Sequence, residues 1–211
     1  MCETDEITKA AITACDGLDG VVDGVIAAVD ACLATFDPFQ MVGETINCSQ
    51  VERELEISSA AAAVVNATWY GPESTEGKQL WYGLNPGSDL IHNGPAAAGQ
   101  PGLVATNCTS GVCVGAPNYL ATSWIQYFLA KDPEFDISKI THAEFDRLAH
   151  ISRQQYNSAI GTDDPELSEF RNARGKMLAF HGLVRVNCHC NWLDFRFSFS
   201  RFSLALRCEN F

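Results

Sequence analysis

Cys15-Asp16-Gly17-Leu18-Asp19-Gly20-Val21-Val22-Asp23-Gly24-Val25-Ile26 places three carboxylates within eight residues, with a cysteine at its start and another downstream at Cys32. Carboxylates this close repel one another, and a bound cation relieves that repulsion. Ca²⁺ suits the segment because it takes six to eight oxygens from carboxylates and backbone carbonyls. Gly17, Gly20 and Gly24 give the chain the freedom to turn those carbonyls inward. The acids are spaced three and four apart and no glutamate follows at the EF-hand position, so this is not an EF-hand. A solvated acidic turn is the alternative. The cysteines at 15 and 32 favour the calcium loop, since a merely flexible turn needs no staple.

The 211 residues are 46% hydrophobic, enough to bury a core in one large or two small domains. No run of 18 apolar residues occurs, which excludes a membrane-spanning helix. A net charge of −12 argues against nucleic acid as a partner, because a phosphate-binding surface is basic. Nine cysteines suggest an oxidising compartment. Three glycosylation sequons agree: Asn47-Cys48-Ser49, Asn66-Ala67-Thr68 and Asn107-Cys108-Thr109. The start, Met1-Cys2-Glu3-Thr4, has no apolar signal segment, so the expectation is a secreted protein whose sequence here begins inside a longer chain.

Along the chain, 5–14 reads as a short helix with Thr4 as N-cap and Ile7, Ala11 and Ile12 on its apolar face. Residues 33–48 read as irregular, with a turn at Asp37-Pro38. The clearest helix spans 57–68, capped by Ser58 or Ser59 and broken by Trp69-Tyr70-Gly71-Pro72. Residues 78–83 read as a strand leading into a loop at 85–88. Residues 91–118 read as one long surface loop that Cys108 and Cys113 are close enough to staple. Residues 119–130 form a helix with Leu120, Trp124, Tyr127 and Phe128 on one face, read as core packing. Residues 142–157 form a second amphipathic helix facing inward through Phe145, Leu148, Ala149 and Ile151 or Ser152. Its two histidines, His142 and His150, read as structural. Asp163-Asp164-Pro165-Glu166 is an acidic helix start, and 176–182 a buried strand ending at Gly182.

These residues carry a resemblance. The run 15–24 resembles the calcium loop of the fungal tannase/feruloyl esterase family. Three further stretches resemble that family in the same order: Trp81-Tyr82-Gly83-Leu84-Asn85-Pro86-Gly87, then Trp124 to Asp136, then Gly161-Thr162-Asp163-Asp164-Pro165 through Phe180-His181-Gly182. The likeness covers about residues 2–183. It implies an α/β fold, in which a lid domain inserted in an α/β-hydrolase comes with part of the hydrolase sheet, mixed helices, short strands and long loops. On that reading residues 1–160 are the lid with its calcium loop at 15–32, residues 161–183 return into the hydrolase core, and both ends are truncated. The resemblance implies Ca²⁺ held by the side chains of Asp16, Asp19 and Asp23, with the carbonyls of Val21 and Val25 and a Cys15–Cys32 bridge. It also implies secretion and a small phenolic ester as substrate.

The departures from the family concern catalysis. Its nucleophile sits on a G-C-S-x-G elbow, and no serine here lies in a G-x-S-x-G frame. The family's strand ending H-G-L leads through a small residue to the triad aspartate. Here His181-Gly182-Leu183 is followed by Val184 and Arg185, and a guanidinium cannot accept an imidazole N–H. The family's catalytic histidine has no counterpart either, although His189-Cys190 repeats its dipeptide. The expected catalytic set is therefore none. Two functions follow, a phenolic carboxylic ester hydrolase by descent or a non-catalytic, Ca²⁺-stabilised lid. Trp69, Trp81 and Tyr82 are candidate aromatic contacts, with core packing as the alternative for each.

Residues 184–211 change character, holding two of the chain's 26 acids, four of its 14 Lys and Arg, and five of its 12 Phe. They read as sequence foreign to the family, with an amphipathic strand at 193–203 as the alternative. Disulfides are expected at Cys15–Cys32 and Cys108–Cys113, with Cys2–Cys48 by elimination. That leaves Cys188, Cys190 and Cys208 over.

Overall fold

The computed structural model describes residues 2–48, 52–91, 102–104, 106–109, 112–161 and 166–177, with backbone alone at 107–109 and 112–113. Helix α1 (Cys2–Cys15) opens the chain and leads directly into a 3₁₀ turn at Asp16–Asp19. The helix begins earlier than the capping pattern suggests: Thr4 lies inside it, buried, and accepts at its carbonyl from the Thr8 hydroxyl. Cys2 is bonded to Cys48, which holds the first turn in place.

Residues 33–48 carry more regular structure than their composition suggests. Helix α2 (Val29–Thr35) precedes a 3₁₀ turn at Pro38–Met41, where the Asp37 carboxylate accepts from the Phe39 N–H. Strand β1 (Thr45–Cys48) then pairs antiparallel with β2 (Arg53–Glu56). Helix α3 (Ser59–Tyr70) has Ser58 as its N-cap, the hydroxyl accepting from Ala61 N–H and donating to Glu3 of α1 at 2.8 Å. One serine thus caps one helix and ties it to another.

The core forms where α1, α2 and α3 meet. Ile7, Ala11, Ala61, Ala62, Val65 and Trp69 are buried together with Ile26, Phe36, Ile57, Leu84 and Leu90. Small residues at the α1–α3 contact let the two helix axes approach, and Phe36 fills the end against Trp69 with ring centroids 6.1 Å apart.

Residues 78–83 do not form the expected strand. A single antiparallel bridge links Glu73 to Gln79, and the segment instead wraps the C-terminal end of α3. The Leu84 N–H donates to the Thr68 carbonyl, and Gln79 Nε2 to that of Tyr70, so two of the helix's orphan acceptors are met from outside. Backbone satisfaction outweighs strand propensity here.

Likewise 91–118 is not one open loop. It contains a hairpin, β3 (Thr106–Thr109) with β4 (Val112–Gly115), whose register sets Cys108 opposite Cys113. The predicted bridge between those two cysteines lies outside the described side chains.

The helix expected over 119–130 divides into α4 (Tyr119–Ser123) and a π-helical segment, Trp124–Ala130. Its apolar stripe is not core. Leu120, Tyr127 and Phe128 are exposed, and only half-buried Trp124 is drawn in, stacked on Phe128 at 4.7 Å and edge-on to Tyr156 at 5.0 Å. The wider π turn breaks the spacing from which that stripe was read. Helix α5 (His142–Ile160) supplies Tyr156 and is capped by Thr141; it runs three residues past the expected end, with Leu148 buried and Phe145 left exposed.

Helix α6 (Ser168–Asn172) starts at Leu167 without a side-chain cap, whereas the expected caps at 163–165 lie outside the described residues. So do 178–182, the tail 184–211 and His181, Arg185, Cys188, Cys190 and Cys208. The described sheets are the two hairpins, both antiparallel, and Lys176 and Met177 are in neither.

The turn after α3 depends on an absent side chain. A Cβ at Gly83 would lie 1.9 Å from the Trp69 carbonyl oxygen and 2.7 Å from the Gly71 nitrogen. Both obstacles are backbone and cannot swing aside. Gly83→Ala is expected to cost about 3 kcal/mol, the upper end for overpacking. Gly17→Ala, whose Cβ would meet nothing closer than 3.7 Å, should stay within about 0.5 kcal/mol in the same chemical denaturation experiment.

Candidate functional site

The acidic loop is built by its own carboxylates. Asp16 Oδ1 accepts from the N–H groups of Asp23 (3.1 Å) and Gly24 (3.0 Å), joining the two ends of the loop. Asp19 Oδ1 accepts from Val21 N–H at 2.9 Å and Asp23 Oδ1 from Val25 N–H at 3.1 Å. Gly20 and Gly24 take φ of +90° and +81°, which the turns require. Beneath the loop Cys15 is bonded to Cys32, both sulfurs lying in the core.

Each aspartate therefore spends one oxygen on the loop's backbone. Among the described residues the second oxygens have no hydrogen-bond partner, and no three His, Cys, Asp or Glu side chains converge as a metal cluster. The donor chemistry, hard oxygens on a frame closed by a disulfide, fits Ca²⁺. The loop frame is thus formed, while its three side chains are not gathered on one point.

A cavity of about 860 Å³ opens beside α3, lined by Asn66 to Thr68, Tyr70 to Glu73, Tyr82, Leu103, Val104 and His142 among others. Of the candidate aromatic contacts, Tyr82 lines it. Trp69 is core, and its indole N–H is buried without a partner among the described residues. Trp81 meets Tyr82 edge-on at 6.1 Å and lies under the Arg153 guanidinium, 6.0 Å from the ring centre.

His142 tethers α5 to the segment that wraps α3, and His150 lies beside the carboxylate that makes a second tether. His142 Nε2 lies 2.7 Å from the Glu73 carbonyl, which fixes that nitrogen as the protonated donor. His150 Nε2 lies 3.3 Å from Asp146, whose other oxygen accepts from the N–H (3.1 Å) and hydroxyl (3.0 Å) of Thr75. Neither histidine contacts a serine or a cysteine among the described residues, so neither forms a nucleophile–base pair. The contacts of His142 with Glu73 and of Asp146 with Thr75 span 69 and 71 residues of sequence, and no local motif announces them.

Of the sequons, Asn47 is exposed on β1 and Asn66 is half-buried on the cavity wall; Asn107 lies in β3 with its side chain outside the description.

A family model described as "Tannase and feruloyl esterase" matches residues 1–188. The chain belongs to the tannase and feruloyl esterase family. It is 36% identical over 189 residues to a probable feruloyl esterase of Arthroderma benhamiae, covering 90% of this chain and 33% of that protein. A tannin acyl hydrolase from Aspergillus niger superposes with a TM-score of 0.72 at 24% identity, over 88% of this chain and 33% of that one. Feruloyl esterase B from Aspergillus oryzae superposes with a TM-score of 0.61 at 24% identity, over 85% and 31%. The chain spans about a third of the length of the relatives it matches. Over that portion the fold is shared with these esterases, and the described residues form helices with two small antiparallel hairpins. No described helix is long and apolar enough to cross a membrane.

The Thr75 N–H, more than any other group, holds the Asp146 carboxyl below the usual carboxylate range; burial opposes it, and the Thr75 hydroxyl and the charges of His150 and His142 add to it. A lowered folded value makes the tether present above the ordinary carboxyl pKa of about 3.9 and lost as the pH falls through the lower folded one. The Thr75 amide proton shift should therefore hold steady from neutral pH down to about 4, then move toward its free value. Asp146→Ala should show the free value throughout; an unchanged shift in that variant would show that the tether is not formed.

Proposed function

We propose that this chain is the calcium-binding, substrate-facing lid part of a secreted hydrolase of phenolic carboxylic esters, and that it carries no complete catalytic triad of its own. The observation that carries this is the extended likeness to esterases across 88–90% of the chain, combined with two departures at catalytic positions. No serine occupies a G-x-S-x-G turn, and Arg185 follows His181-Gly182-Leu183-Val184 where the family places an acid. The names of the relatives, feruloyl esterase and tannin acyl hydrolase, support esters of plant phenolic acids as the substrate class. A purely structural Ca²⁺-stabilised module is the second reading, favoured by the loop frame and the disulfide beneath it.

The proposed Ca²⁺ site uses the second carboxylate oxygens of Asp16, Asp19 and Asp23 with the carbonyls of Val21 and Val25. The ion would offset the mutual repulsion of three acids and hold the loop against α1 and α2. Ca²⁺ is expected to raise the melting temperature, with a gain of about 2.7 kcal/mol at a hundredfold excess over its dissociation constant. Asp19→Asn should abolish the rise. Identical melting curves in Ca²⁺ and in chelator would remove the metal from this reading.

For catalysis the expected outcome is no turnover of methyl ferulate, methyl gallate or a nitrophenyl ester above a heat-inactivated control. A triad missing one member keeps some rate through its oxyanion hole, but the elbow that supplies one of those N–H donors is absent too. Arg185→Asp alone should restore nothing. Turnover that survives repurification, then tracked to Ser123, Ser152 or Cys190 by alanine substitution, would overturn the assignment.

A further inference from the structure

We propose that the cavity beside α3 is the seat of an N-linked glycan carried by Asn66, with its first sugar rings held against protein instead of extending into solvent. All three residues of the sequon, Asn66, Ala67 and Thr68, line this cavity. A sugar attached to the half-buried Asn66 amide therefore starts at the wall of that space.

The walls suit a sugar. Tyr70 stands one helical turn beyond Asn66, at the i+4 position that shares its face. Tyr82 comes from the segment that wraps the end of α3, so two tyrosines line the volume. The C–H face of a pyranose packs on such rings, which offer apolar faces with polar edges. Leu103 and Val104 extend the apolar wall. His142, bound to the Glu73 carbonyl, gives a polar rim for ring hydroxyls. At about 860 Å³ the space lies within the range of clefts that take small ligands.

Asn47 offers the contrast within the same chain. It is exposed on β1, opposite Glu54, and does not line this cavity. The half-burial of Asn66 is no obstacle to its modification, because glycans are transferred to the unfolded chain during export, before α3 has packed. The sugar then becomes part of the surface that α3 folds with.

The proposal rests on the secreted part of the reading above, and one experiment separates the two. The full chain is secreted from yeast and treated with an endoglycosidase that cuts between the first two sugars, both natively and after denaturation. Release is followed by mass for the Asn47 and Asn66 peptides. The Asn47 glycan should be lost natively, whereas the Asn66 glycan should be released at least tenfold more slowly until the protein is denatured. Tyr70→Ala, checked by circular dichroism for retained helix content, should make the Asn66 glycan sensitive natively and leave Asn47 unchanged. Asn47 modified with Asn66 bare, or both released at one rate, would overturn the cavity assignment while leaving secretion intact. Both sites bare after passage through the secretory pathway would overturn the two together.

Discussion

The contact between α1 and α3 is the constraint on which the rest of the described structure depends. The two helices touch, and their buried residues, Ile7 and Ala11 from α1 and Ala61, Ala62 and Val65 from α3, are mostly small and belong to one cluster. Small side chains permit a close approach of two helices, and the other buried residues of the cluster pack with this pair. Ile26 and Cys32 close one side, while Leu84 and Leu90 close another. The Ser58 hydroxyl, capping α3 while donating to Glu3, sets where one helix begins relative to the other. A larger residue at any of the alanines would push apart everything that rests on this pair.

From that pair the architecture passes outward through hydrogen bonds that each have a backbone group at one end. The end of α3 is finished by the segment after it, whose N–H and amide groups meet the helix's last carbonyls. The same segment is then held to α5 by Asp146, His142 and Arg153, the last donating to the Leu80 carbonyl at 2.6 Å. One stretch of irregular chain thus serves as terminus for one helix and anchor for another. The cavity lies where these roles meet.

How far the sequence reveals this varies with the range of the interactions involved. Local signals were legible: Ser58 as a cap, the alanine-rich helix, the turn at Asp37-Pro38 and the Asp-Gly loop all depend on residues a few positions apart. The segment 78–83 was not, because the Gln79 amide and the N–H of Leu84 just beyond it are taken up by the last carbonyls of α3. The aromatic face at 120–128 was misread because a π turn shifts the spacing that an α-helix would give. The hairpin at 106–115 was hidden in a stretch whose Gly, Pro and Ala content resembles open loop. For the candidate site, the three aspartates were visible from their spacing, whereas the roles of His142, Asp146 and Thr75 depend on contacts some 70 residues apart. Tyr82 on the cavity wall was among the candidate aromatic contacts, whereas the position of the Asn66 sequon upon that wall was not visible.

The two disulfides among the described residues are nested, Cys15–Cys32 within Cys2–Cys48, and both are complete by residue 48. A chain emerging from its amino end can therefore finish this cross-linked unit before α3, its main packing partner, has been synthesised. The first 48 residues then wait as a preformed cradle, with a short list of accessible conformations, when the alanine-rich helix arrives. The order in which the chain is made and the order in which its parts are needed coincide.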